Sequence, residues 1–181
     1  MKIQGSQPRV LSVQIGSAAL GTDAAILADT AMDETDPTEV TEFAGQPDVP
    51  RNLTVKGNDA NVTGNVVIEG LNAGGEAITE TIALNGATAV AGTKAFAIVT
   101  KVTLPTWDTA DTERVRIGLG AKLGLPAALS RNTVLAAFLD NVREATAPTV
   151  TVSADNLEDN TVTLASALDG SDVIVDLYET L

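Results

Sequence analysis

Glu76-Ala77-Ile78-Thr79-Glu80-Thr81-Ile82-Ala83-Leu84 is the stretch that decides the fold class. Ile78, Ile82 and Leu84 share one parity, and Ala77, Thr79, Thr81 and Ala83 take the other, which is the period of two that a half-buried strand needs. The run stops at Asn85-Gly86, and Ala73-Gly74-Gly75 separates it from the apolar run Val62 to Leu71. The two runs therefore read as an antiparallel hairpin.

The same signal recurs on both sides. Leu53 and Val55 alternate with Thr54 and Lys56 up to the turn residues Gly57-Asn58-Asp59. Lys94 to Leu104 places Phe96, Ile98, Val102 and Leu104 on one expected face and stops at Pro105, and Arg114 to Leu119 alternates again. Arg9 to Ile15 reads as a short strand or an extended arm closing at Gly16. Thr149 to Ala154, Asn160 to Leu168 and Val173 to Tyr178 supply the last β runs, and Asp169-Gly170 predicts a C-terminal hairpin between the final two.

Two regions break the pattern. From Gly21 to Gln46 the chain is acidic, with Asp23, Asp29, Asp33, Glu34, Asp36, Glu39 and Glu42, and no Lys or Arg lies between Arg9 and Arg51. That stretch reads as a solvated face or loop. Residues 130–142 carry helix formers in Val134 to Asp140 behind possible caps in Ser130 to Thr133, so helix and strand both fit, and the β neighbours favour strand or irregular extension. The expectation is an all-β protein, an antiparallel β-sandwich or open barrel with an extended N-terminal arm and a C-terminal β-hairpin. Residues 1–48 would be arm and acidic loop and 49–181 the body, divisible into 49–120 and 121–181.

Composition narrows the chemistry. The 181 residues contain no Cys and no His, so there is no disulfide framework, no thiolate nucleophile, no side chain that titrates near neutrality unperturbed and no commonest metal ligand. A formal charge of −13 opposes a phosphate backbone, so direct nucleic-acid binding is not expected. No apolar run approaches the about 20 residues of a membrane helix, and no export signal is read at Met1 to Ser6, so a soluble, non-membrane protein is expected. Aromatics are only 3%, few for stacking sugars or bases.

Candidate sites are weak. Asp29-Thr30-Ala31 and Asp108-Thr109-Ala110 resemble the Asp-Thr-Gly turns of paired-carboxylate proteases but lack their Gly. Asp29, Asp33, Glu34 and Asp36, and separately Asp155, Glu158 and Asp159, bunch without the spacing of a calcium loop, so solvated loops are the better reading. Gly74-Gly75 and Gly118-x-Gly120 adjoin β runs without a following helix, which makes them turns or bulges instead of phosphate cradles. No Gly-x-Ser-x-Gly elbow or Ser-x-x-Lys pair marks a nucleophile. Trp107 and Tyr178 fit either interface anchors or ordinary core and hairpin aromatics. No catalytic residue, metal site or cofactor is expected, although two buried acids of a glycosidase type stay open on composition alone.

Gln46-Pro47-Asp48-Val49-Pro50-Arg51-Asn52-Leu53, Gly92-Thr93-Lys94-Ala95-Phe96-Ala97 and Gly120-Ala121-Lys122-Leu123-Gly124-Leu125-Pro126 follow one another, and then come Arg143 to Val150 and Asn160-Thr161-Val162-Thr163-Leu164. This order resembles a family of virion structural proteins of siphovirus-type bacteriophages, over roughly residues 40–178. The resemblance implies a non-enzymatic capsid decoration, or cement, protein. It would bind the outer face of the major capsid protein lattice as an oligomer, with a trimer expected, after synthesis in the host cytoplasm, and Lys2 to Ile15 would be its arm. The alternatives are a tail tube or head-tail completion protein and, from another class, a carbohydrate-binding or adhesin-like sandwich. Pro47 and Pro50 fix φ and bias Gln46 and Val49 toward extended backbone, so the connector is expected to aim the acidic leader into the body.

Overall fold

The structure, a computed structural model, describes residues 9–107 and 111–179. About half of the described chain is strand, and none of it is α-helix. In chain order the strands are β1 (Arg9–Ser17), β2 (Leu27–Ala31), β3 (Thr38–Val40), β4 (Arg51–Gly57), β5 (Asn65–Leu71), β6 (Ala77–Ala83), β7 (Val90–Ala91) and β8 (Ile98–Leu104). They continue with β9 (Arg114–Gly124), β10 (Val134–Leu139), β11 (Val142–Arg143), β12 (Thr149–Thr151), β13 (Thr161–Thr163) and β14 (Asp172–Glu179), with one 3-10 turn at Leu157–Asp159. The strand pairings are antiparallel, in three sheets ordered β1-β14-β10-β11, β12-β13-β9-β4-β7 and β3-β8-β5-β6, with β2 also on β9. The result is the expected all-β sandwich or open barrel, and one sheet curls into a half-barrel.

The deciding hairpin forms as read. β5 pairs with β6 from Leu71↔Ala77 to Asn65↔Ala83, and Gly75 takes φ 80° in the connecting turn. Ile78, Glu80, Ile82 and Leu84 are buried, and Ala77, Thr79, Thr81 and Ala83 are exposed.

The apolar side chains gather into two cores. One is built on Leu53, Ile68, Phe96, Leu104 and Ile117, the other on Leu123, Leu125, Val162, Val173 and Val175. β9 runs through both, giving Val115 and Ile117 to the first and Leu123 to the second. Its neighbour β4 ends at the same division, because Leu53 and Val55 belong to the first core while Val49, just before it, belongs to the second.

Several expectations change. The segment Arg9 to Ile15 is no free arm, because β1 pairs with β14 from Arg9↔Glu179 to Ser17↔Asp172 and its Val13 and Ile15 pack on the second core. Residues 1–8, the rest of the expected arm, lie outside the described residues. The acidic stretch is not a plain solvated loop. It carries β2 and β3, which pair with β9 and β8, and Ile26, Leu27 and Met32 are buried in the first core. Its charge is met locally by distant cations, with Lys56 on Asp23 at 2.7 Å, Arg116 on Asp29 at 2.7 Å and Lys101 on Glu39 at 3.5 Å. A boundary at residue 48 thus divides pairs of hydrogen-bonded strands and does not separate two bodies.

The C-terminal hairpin is also corrected. Gly170 does turn the chain, at φ 92°, but its N–H donates to Ala18 O (2.9 Å) and Ser171 O accepts from Ala18 N (3.4 Å). The turn is therefore closed by the chain after β1, so β14 passes between β1 and β10 while β13 stays on β9 and β12. The 130–142 region holds strand β10, closed by Asp140 and Asn141 at φ 51° and 61°, the paired positive values of a tight hairpin turn. Ile98 is exposed instead of facing inward, because the pairing slips between Glu69↔Lys101 and Gly70↔Val99 and leaves Thr100 as an extra residue. Val99 is buried in its place.

Close approach of backbones in the first core is tested most simply at Gly118. A Cβ there would lie 2.0 Å from Thr22 O, a backbone atom with no rotamer to escape by. Gly118→Ala is expected to lower stability by about 2 kcal/mol or more in urea unfolding, whereas Gly75→Ala, which meets no atom within 4 Å, is expected to lose only about 1 kcal/mol from its positive φ.

Candidate functional site: a buried polar seam and an apolar edge

Where β4 crosses from one core to the other, the ladder to β9 breaks. Arg51 faces Leu123 and Leu53 faces Leu119, so Asn52 alone stands opposite Gly120, Ala121 and Lys122. Side chains replace the missing ladder bonds. Asn52 Oδ1 accepts from Lys122 N (2.9 Å) and its Nδ2 donates to Gly92 O (2.9 Å). A Cβ on Gly120 would overlap that amide at 2.2 Å, which explains why Gly stands there.

Arg51 is fully buried. Its Nε donates to Gly120 O at 2.7 Å, Nη2 donates to the same oxygen, and Nη1 reaches Ala19 O at 2.9 Å and Asp48 at 3.0 Å. Its backbone exchanges two hydrogen bonds with Phe96, at 3.0 and 2.9 Å. One guanidinium therefore holds the chain after β1, the Pro47 to Pro50 connector and the middle of β9 together. Gln46 extends the clasp by bonding both Val99 N (2.8 Å) and Val99 O (3.0 Å), as a backbone neighbour would.

A second knot lies beside it. Asn160, also fully buried, accepts from Leu129 N and Ser153 N at 2.9 Å and donates to Ser153 O and Asn156 O. Glu158 turns inward, touching Asn72 Nδ2 at 3.2 Å and Lys94 Nζ at 3.4 Å. Burial by itself would push the Glu158 carboxyl up. Hydrogen bonds from its own N–H, Asn72 and Lys94, with the Lys94 charge, outweigh this and hold it below its ordinary value. The connector, the Gly92 to Ala97 run, the Gly120 to Pro126 run and Asn160 thus meet in one seam, although they are scattered in sequence.

The sequence-stretch candidates fare differently. Asp29 is paired with Arg116, and Asp33 Oδ1 accepts from Thr35 N and Asp36 N, bonds that hold its carboxyl below the usual range. Asp159 accepts from Asn156. Among the described residues no three acidic side chains converge on a point where a metal ion would fit. Asp108-Thr109-Ala110 lies outside the described residues. Trp107 is half-buried against the first core, and its backbone N–H donates to Asp33 O at 2.9 Å. Tyr178 is half-buried on β14, across from Val10. Gly74-Gly75 forms a turn and Gly118-x-Gly120 lies at the β9 irregularity.

Surface hollows are open to solvent and of mixed polarity. One of about 310 Å³ is lined by Leu20, Leu119, Ala121, Leu164 and Leu168 over Arg51, and another of about 470 Å³ by Leu135 to Ala137 and Arg143 to Pro148. The first is lined by no acidic side chain, and in the second Glu144 accepts from Ala165 N and Ser166 N. The most exposed apolar side chains include Val10 (57%), Leu11 (42%), Leu135 (52%) and Val142 (69%), all on the β1-β14-β10-β11 sheet. Among the described strands β1 is the edge of that sheet, nine residues long, with β14 as its one strand neighbour. Among the described residues no helix is long and apolar enough to cross a membrane. No family model, curated protein or solved structure matches this chain.

Two outcomes follow from the seam. Arg51→Met fills about the same volume but takes the guanidinium donors from Gly120 O and Ala19 O and removes the ion pair to Asp48, so unfolding in urea should show a loss of about 2 to 4 kcal/mol. Arg51→Lys should recover little of it, because a single ammonium lacks the fork that reaches both sides. Glu158, with its folded pKa depressed, contributes stability that is present above its ordinary value of 4.5 and lost as pH falls through the folded value. Urea midpoints measured between about pH 6 and about pH 3 should fall more steeply for the wild type than for Glu158→Gln.

Proposed function

We propose that the chain is a non-enzymatic assembly protein that decorates a bacteriophage capsid, docking on the outer face of the major capsid protein lattice as a homo-oligomer, with a trimer the expected form. The observation that supports this reading most is the β1 edge. A nine-residue strand with Val10 and Leu11 exposed is suited to receive a further strand from a partner, with main-chain bonds supplying affinity and alternate side chains supplying register. Its outer face is half apolar, since Phe138, Ile174 and Tyr178 are only half-buried beside Ser12 and Asp176.

Composition supports the same reading. A formal charge of −13 keeps a surface-bound module away from packaged nucleic acid, and the absence of His and Cys removes the usual catalytic groups. The buried side chains of Arg51, Asn52 and Asn160 serve the seam, where they are bonded to backbone. The resemblance of the seam-forming runs to virion structural proteins supplies the choice of partner.

Quantitative mass spectrometry and cryo-electron microscopy of virions carrying the chain test the proposal. A copy number tracking the capsid subunits and density on the outer shell are expected, whereas density in the tail or at the head-tail junction overturns the decoration reading. Leu11→Lys, at an exposed edge position, should leave the melting temperature nearly unchanged and lower occupancy on particles about tenfold or more.

A further inference from the structure

The outer face of the β1-β14-β10-β11 sheet carries a hollow of about 260 Å³, lined by Ser12, Phe138, Asn141, Ile174 and Asp176. Strand register explains where it opens. Ser12, Asp176 and Ala136 stand in one row across β1, β14 and β10, and Gln14, Ile174 and Phe138 stand in the next. The hollow therefore has apolar sides at Ile174 and Phe138 and a carboxylate at Asp176. Oδ1 of Asp176 accepts from Ser12 Oγ at 2.5 Å, while Oδ2 has no donor, and the side chain no Lys or Arg partner, among the described residues. Asp23, Asp29 and Glu39 differ, being paired already with Lys56, Arg116 and Lys101. Arg143 is the register partner of Phe138, yet it lines the hollow of Leu135 to Pro148 and is paired with no acid among the described residues.

We infer that this hollow takes the Lys or Arg side chain of a partner segment added to the β1 edge. Edge docking, as proposed above, is the premise, and the partner is then an extended segment whose cation crosses β1 at Ser12. A strand added to β1 runs about 5 Å from it and about 10 Å from β14. The bond to Ser12 draws the Asp176 carboxylate toward that edge, so the long stem of a Lys or Arg bridges the remainder. Ser12 is also short, whereas Val10 and Gln14, its neighbours of the same parity on β1, are longer. The one low point on the rim of the sheet thus lies beside the carboxylate.

Each part of a long cation finds a match. The methylene stem lies on Ile174 and Phe138 with its charged end at Asp176, the way such side chains cover apolar surface while the head stays hydrated. The Phe138 ring adds an attraction for the charge. The Asn141 side chain, bonded to no described residue, offers a carbonyl oxygen as a second acceptor. Other occupants fit worse. An anion meets the Asp176 carboxylate on a chain of formal charge −13, which attracts cations to its surface instead. A neutral apolar side chain would take water from Asp176 and give no donor in exchange.

Amide NMR of the full labelled chain, titrated with a capped peptide as long as β1, tests the inference. The peptide alternates valine and threonine around one central arginine, and its control carries citrulline there, which keeps the shape and removes the charge. Amides of β1 and those of Asp176 and Phe138 are expected to shift. Citrulline in the peptide, or Asp176→Asn in the chain, should each weaken binding about fivefold, and Phe138→Leu should weaken the arginine peptide more than the control. Asp176→Asn keeps an acceptor for Ser12, so its melting temperature should match the wild type. Equal binding of the two peptides, or an Asp176→Asn chain that binds like the wild type, overturns the cation site while shifts along β1 leave edge docking standing. A peptide that leaves the β1 amides unmoved overturns both. Shifts at these amides that grow with protein concentration alone and vanish in Arg143→Ala assign the hollow to a second copy and overturn the partner segment. Density in the virion tail would end the decoration reading without altering the peptide result.

Discussion

The fully buried guanidinium of Arg51 is the constraint on which the rest of the structure depends. A cation taken out of water must have its donors met, and those of Arg51 are met by Gly120 O, Ala19 O and Asp48. Each acceptor fixes a different part of the chain. Gly120 O fixes where the β4-β9 ladder breaks, Ala19 O draws the segment after β1 across the seam, and Asp48 sets the direction of the proline-pinned connector. The two cores share β9, but it is this polar seam that determines how the chains on either side enter them.

That dependence explains which parts of the fold were legible in the sequence. Alternation in Ala77 to Ala83 and in Arg114 to Ile117 reported burial directly, because both strands bury one face against the first core. The acidic stretch misled, since Asp23, Asp29 and Glu39 sit on surfaces where Lys56, Arg116 and Lys101 neutralise them, cations that lie far away in sequence. Ile26, Leu27, Met32, Val40 and Phe43 were its signs of burial, and at that spacing among many acids they make no period. Ile98 misled for a local reason, because one bulged residue inverts parity. Asp169-Gly170 gave a turn correctly but not its partner, since turn chemistry fixes the bend and long-range pairing decides which strands it joins.

The seam was half legible. Pro47, Pro50, Gly120 and Gly124 marked stiff or close-packed backbone, and the irregular β4-β9 pairing is what they serve. Arg51, Asn52, Asn160 and Glu158 carried no signal of burial, because single polar residues beside β runs ordinarily face water. Only the folded backbone shows that Arg51, Asn52 and Asn160 bond to main-chain groups and that Glu158 joins Asn72 to Lys94. The polar chemistry of this chain is thus spent inward, on joining two cores, while its outward features are an apolar strand edge, open hollows and dispersed negative charge. A division of that kind suits a part whose task is to hold and be held.

Native-state hydrogen exchange, followed strand by strand in mild denaturant, tests the central claim that the Arg51 seam makes the two cores one cooperative unit. Amides of β4 and β9 on both sides of Gly120, with those of β8 and β14, are expected to merge into a single opening whose free energy equals that of global unfolding. If β10 and β14 exchange through a separate, lower-energy opening while β5, β6 and β8 stay protected, the cores are independent, and the seam does not have the role assigned to it.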